Sequence, residues 1–214
     1  MGILSRTRTP TSPPKIKTRF RIISDTRGHQ LPPEYLSQKA NIAIHCTEST
    51  IDEFKSAIKL LRSLKASIKL VIAGNHDFTL DIPMFKREVA EVIPPLAPDL
   101  VRRENGDYED ARTLFDDPET KASGIFLLDE GTHQFALPNN ALLKVYASPY
   151  TPSPGDWGFQ YRPEAGHDFD IANNVDVVTT HGPPRGVMDT TYSGTRAGCP
   201  KLFAIVRLVR VVFY

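Results

Sequence analysis

Cysteine is scarce: the 214 residues hold two, Cys46 and Cys199, and no CxxC pair. That excludes a zinc ribbon or a thioredoxin-type motif, and two thiols in a chain this long do not make a disulfide framework. The expectation is a reduced, cytoplasmic protein. Long apolar runs are missing too. Nothing approaches the about 20 residues that cross a bilayer, so no membrane partner is expected. Charge of one sign is also lacking, with 26 basic against 25 acidic residues. No strong field is therefore offered to nucleic acid, and none is expected as a partner. There is no internal repeat, and Arg6 stands where a myristoylation signal needs Ser or Thr. The first 21 residues carry six basic side chains and no acid, as a transit peptide would, but Pro10, Pro13 and Pro14 favour a loose chain. A flexible basic N-terminal tail is expected over residues 1–17.

What is present suits a globular α/β chain. Hydrophobic residues make up 40%, enough in a chain this long for a real core. Short apolar runs at Phe20–Ile23, 41–45, Lys69–Ala73, Ile125–Leu128, Leu142–Ala147 and Val175–Thr179 read as strands. Ile51, Phe54, Ala57, Ile58, Leu61 and Leu64 fall on one helical face, which predicts a helix over 50–65, and Thr50 with Glu53 forms a capping-box start. A second helix is expected at 201–209 and the beginning of a strand at Val211–Tyr214. Residues 83–123 carry five prolines among charged stretches and read as a partly helical surface insertion, with only a turn between the strands ending at Leu128 and starting at Leu142. The stretch 148–170 is rich in Pro, Gly and aromatics and is too long for a simple connection; such ordered loops are usually functional. Strands alternate with helices early and follow one another later, as in an α/β domain with more than one sheet.

Four polar clusters follow strands directly: Ser24-Asp25-Thr26-Arg27-Gly28-His29, His45-Cys46-Thr47-Glu48, Gly74-Asn75-His76-Asp77 and Thr180-His181-Gly182-Pro183-Pro184. Loops beyond the carboxyl ends of strands converge on one crevice in such sheets. Asp, Glu, Asn and His gathered there are the oxygen and nitrogen donors that hold zinc, manganese or iron. The string Gly74-Asn75-His76-Asp77 resembles the GNHD signature of calcineurin-like metallophosphoesterases, whose motifs run D-x-H, G-D, G-N-H-[DE], a later His and a final G-H-x-H. Asp25 matches the first, Thr47-Glu48 sits at the second, and His181 matches the later His. The stretches LKVYASPYTPSPGDWGFQY and THGPPRGVMDTT are similar to those of a branch of small metallophosphoesterase-domain proteins, and the likeness covers roughly 18–210.

The resemblance implies a two-sheet α/β/β/α sandwich flanked by helices and hydrolysis of phosphate esters, with a phosphate-ester small molecule as partner. In that chemistry two cations share a bridging carboxylate and activate a water. Carried over residue by residue, the metal ligands are Asp25, Glu48, Asn75 and His181. His76 stabilises the transition state or protonates the leaving oxygen, and Arg185 holds a phosphate oxygen. Asp156 and Trp157 are expected to shape their loop, with Trp157 packing the insertion.

The chain departs from the family pattern at three points. Position 27 is Arg rather than His, the bridging carboxylate is Glu48 in a Thr-Glu pair, and the chain ends at Phe213-Tyr214 where the family continues toward G-H-x-H. The losses fall on the first metal, so one divalent site at most (Mn, Zn or Fe) is expected, in a fold lacking its last strands. Arg27 either takes the place of that metal and pairs with Asp25 and Glu48, or turns to solvent. His29 is a candidate replacement ligand, and His45 is read as structural. Three readings follow: a weak or impaired phosphodiesterase or phosphatase, a catalytically inactive metallophosphoesterase-like binding protein, or a truncated gene product.

Overall fold

The computed structural model describes residues 16–24, 26, 31–46, 50–153 and 155–208. The expected tail over 1–17 falls almost wholly outside them, and the expected strand Val211–Tyr214 falls entirely outside. Strands β1 (Phe20–Ile23), β2 (Ala40–Cys46), β3 (Ala66–Ile72) and β4 (Ile125–Leu128) form one parallel sheet in that order. Strands β5 (Gly131–Ala136) and β6 (Leu142–Ser148) pair antiparallel, and β9 (Val177–Thr180) pairs parallel to β6, making a second sheet. Two short strands, β7 (Thr151–Pro152) and β8 (Gln160–Tyr161), form a ribbon within the long loop.

The alternation of side chains across a strand explains the layering. In the first sheet Ile42, Ile44, Ile68, Leu70 and Ile72 face Leu143, Val145, Ala147 and Val177 of the second, and these residues make one buried cluster between the sheets. The intervening Ala43 and Val71 face helices. There they meet Phe54, Ile58 and Leu61 of α2 (Ile51–Ser63) together with Ala111 and Phe115 of α5 (Asp110–Asp116). On the far side of the second sheet Tyr146 and Val178 pack on Leu202 and Val206 of α7 (Pro200–Leu208). The order is helix, sheet, sheet, helix: the α/β sandwich that the sequence implied.

Helix α2 starts where its capping box predicts. The Glu53 amide donates to Thr50 Oγ1 (3.3 Å) and the Thr50 amide donates to Glu53 Oε2 (2.9 Å), which satisfies two of the helix's unpaired N-terminal donors. Helix α1 (Pro33–Ser37) bridges β1 and β2.

Two expectations need correction. Residues 83–123 are not all surface. They contain α3 (Ile82–Glu91), α4 (Pro98–Asn105), α5 and α6 (Pro118–Ala122), and Phe85 and Phe115 are each 1% exposed. Pro83, Pro98 and Pro118 stand in first turns, where the missing N–H has no partner to lose, so these prolines start helices rather than mark loops. The region between β4 and β6 is likewise more than a turn. It holds β5, in which alternate residues are exposed, a pattern that looks polar in sequence because one face meets solvent. No described helix is long and apolar enough to cross a membrane.

Candidate metal centre

Strand β3 runs into the Gly74-Asn75-His76-Asp77 turn, and Asp77 holds that turn shut. Its side chain is fully buried, and Oδ2 accepts from the Gly74 amide at 2.6 Å. The Asp77 amide donates back to the Gly74 carbonyl (3.0 Å), and the Leu80 amide donates to the Asp77 carbonyl (2.9 Å). The second sheet delivers the other half of the site. His181 follows β9, and its amide donates to the Ser148 carbonyl at the end of β6 (3.0 Å).

The two halves meet side chain to side chain, with His181 Nε2 2.7 Å from Asn75 Oδ1. Gly74 makes that approach possible. A Cβ there would lie 2.8 Å from both Cε1 and Nδ1 of the His181 ring, closer than carbon atoms pack.

A second shell of contacts comes from the 148–162 loop. The Gly158 amide donates to the Asn75 carbonyl (2.9 Å), and the Phe159 amide donates to Asp81 Oδ2 (2.9 Å). A Cβ on Gly158 would come within 2.8 Å of Phe78 Cα, so this loop also needs its glycine. Trp157 is 49% exposed, and its ring centroid lies 4.5 Å from that of His76 at a tilt of 56°. Beyond the expected packing on the insertion, Trp157 makes a contact with the candidate catalytic histidine. Asp156 carries an exposed ion pair to Arg87 (3.4 Å).

Glu130 was not singled out in the sequence. It lies two residues beyond β4, in Asp129-Glu130, so the strand-end rule that selected the four clusters would have found it. Its Oε1 accepts from Ser148 Oγ (2.7 Å) and Tyr146 Oη (3.2 Å), and it pairs with His167 Nε2 (2.7 Å). Burial, reinforced by the Glu130 charge, pushes the Tyr146 hydroxyl well above its ordinary range and keeps it a donor. His167 in turn stacks on Tyr150 with ring centroids 4.4 Å apart. These contacts tie the long loop to the end of the first sheet.

The remaining expected residues divide by location. Asp25, Arg27, His29 and Glu48 lie outside the described residues. Thr26 Oγ1 is 3.1 Å from Nε2 of His45, itself 1% exposed near the end of β2. Arg185 lines a groove of about 660 Å³ with Arg196 and Lys201, and Asn75, His76 and His181 are not in that lining.

Among the described residues no group of three His, Cys, Asp or Glu side chains is placed to hold a metal. Asn75 and His181 nevertheless fit as half of a divalent site. One oxygen and one imidazole nitrogen suit the expected metals. Their 2.7 Å separation is a hydrogen-bond distance, and it brings one oxygen and one imidazole nitrogen to the same point.

No protein-family model matches the chain. It is 28% identical to a UPF0046 protein of Caenorhabditis elegans over 92% of its length. It is also 28% identical to the human metallophosphoesterase domain-containing protein 1 over 89% of its length. A third relative, a probable rhamnogalacturonate lyase C of Emericella nidulans, is 32% identical over 81% of the chain. The chain spans 49% and 56% of the first two relatives and 14% of the third.

Proposed function

Because this chain belongs to the metallophosphoesterase family, we propose that it hydrolyses phosphate esters, monoester or diester, with a divalent cation at the Asn75–His181 pair. The observation that carries the reading is the 2.7 Å approach of His181 Nε2 to Asn75 Oδ1, made between loops of two different sheets and protected by a glycine. Asp25 and Glu48 are the further ligands in this reading. A cation held there would supply a bound water of lowered pKa and a positive charge for the phosphate oxygens.

The protein's own groups supply the rest. Asp77 fixes the turn, and the turn sets where Asn75 and His76 stand. His76 is the proton donor to the leaving oxygen, and the Trp157 ring limits how far its imidazole can swing. Arg185 is assigned to a phosphate oxygen on charge, with its separate groove as the point against it.

Hydrolysis of bis(4-nitrophenyl) phosphate with added manganese tests the proposal. General acid catalysis contributes about 10²–10⁴-fold, so His76→Ala should lose at least a hundredfold in kcat. A wild-type rate no higher than that of the variant would defeat the enzymatic reading. A second reading, a non-catalytic protein that keeps the scaffold for binding, draws support from Arg27. An arginine charge 4 Å from a cation would repel it by about 4 kcal/mol per unit charge at an effective dielectric near 20.

A further inference from the structure

The exposed side of Trp157 opens on a cavity of about 490 Å³, lined also by Pro83, Met84, Arg87, Asp156 and Arg162. That volume is in the range of small-molecule sites. Most of the charge in its wall is already engaged. Asp81 accepts from the Met84 and Phe159 amides, and Arg87 is 2.9 Å from Met84 Sδ and 3.4 Å from Asp156. Among the described residues no carboxylate pairs with Arg162, so its guanidinium is the lining charge left for a ligand. Trp157 thus has the His76 ring against it at 4.5 Å and this open cavity beside it. The other large groove has Arg196 and Lys201 paired with Asp189 and Asp168 but also Arg185, and neither Trp157 nor His76 is in its lining.

We propose that this cavity is the subsite for the leaving group of the ester, and that it takes an aromatic ring on Trp157 carrying an anionic substituent at Arg162. The assignment rests on the phosphoesterase reading above, because His76 is there the donor to the leaving oxygen. The group that departs must then sit on the His76 side of the phosphate; Asn75, His76 and His181 do not themselves line the cavity, and Trp157, in ring contact with His76, joins the two. An indole offers a ring face whose attraction for another ring is worth more than area alone. A guanidinium offers two parallel donors to a carboxylate, sulfonate or phosphate. The preferred substrate class is therefore a phosphodiester whose leaving alcohol bears both an aryl ring and an acid.

Trp157 is the only tryptophan in the chain, so its fluorescence reports on the indole that the cavity and His76 share, and the dependence on Arg162 singles out the cavity. The probe is 4-nitrobenzenesulfonate, a ring with one anion that quenches indole, titrated in the presence of a chelator so that no turnover occurs. Saturable quenching is expected, weakened about tenfold in Arg162→Ala and restored in part by Arg162→Lys, with neutral 4-nitrobenzyl alcohol binding wild type and Arg162→Ala alike. Arg162 is exposed, so its replacement should leave folding intact, and an unchanged thermal transition checks this. Quenching that is linear in probe, or equal in wild type and Arg162→Ala, overturns the subsite even if manganese-dependent hydrolysis is found. Saturable, Arg162-dependent quenching in a protein that hydrolyses nothing upholds the binding site and sinks the phosphoesterase reading instead.

Discussion

Gly74 decides whether the site can close. Its hydrogen leaves room for the His181 ring, and a methyl group would stand 2.8 Å from two ring atoms that are backed by the β6–β9 pairing. Gly74→Ala should therefore displace His181 from Asn75 and lower manganese-dependent hydrolysis at least tenfold. The Gly74 amide would still reach Asp77, so the thermal transition should move by only a few degrees. Steady-state kinetics beside a thermal melt would show the split, and a large loss of stability with normal activity would contradict it. At this scale the GNHD string singles out Gly74 and Asn75, which lie against His181, but it cannot say why the first of them is glycine. The reason is a contact across 107 residues, and no local pattern encodes it.

The elements position these residues, and their legibility varied with how local their causes are. Helix α2 was readable to within two residues because its cap, its apolar face and its end all lie within one stretch. Strands β2 and β3 were readable because both faces are buried and the runs are almost wholly apolar. Strand β5 was missed because half of it meets solvent, and α5 was missed because prolines around it look like loop signals while Phe115 packs on Phe54 from a distant helix. The loop between His181 and α7 has its own lock. Asp189 accepts from the Gly186 amide (2.8 Å) and from Arg196 Nη1 (2.6 Å).

The Gly186 amide is the main cause that holds the Asp189 carboxyl below its usual value, with Arg196 adding and burial opposing. A carboxyl lowered on folding stabilises the native state fully above its unfolded pKa of about 3.9, and that contribution fades as pH falls through the folded value. Asp189→Asn should melt below wild type at pH 7, and the two transitions should converge as the pH is taken below about 4. Parallel melting curves at both pH values would show that Asp189 does not lock the loop.

At the level of the whole molecule, the sandwich exists to bring two sets of strand ends to one edge. Ile42, Leu70, Val145 and Val177 weld the sheets face to face, and the register of β6 with β9 fixes how far His181 projects. That the Asn75 and His181 loops converge was inferable from polar clusters following strands, while Asp25 and Glu48 of two other clusters lie outside the described residues. Which donors touch was not inferable, because the answer depends on the angle between the sheets. The long loop was legible as an ordered one from its length and composition, whereas its contact with His76 through Trp157 was not.

The central claim is that Asn75 and His181 bind one cation together. Manganese binding by calorimetry to wild type, Asn75→Ala, His181→Ala and the double variant tests it most directly. Changes to groups that merely support a ligand already cost about 10–100-fold in affinity, so each single variant should weaken binding at least tenfold. The double variant should fall short of the product of the two losses, because both ligands serve the same ion. Manganese bound with wild-type affinity by both single variants would contradict the account.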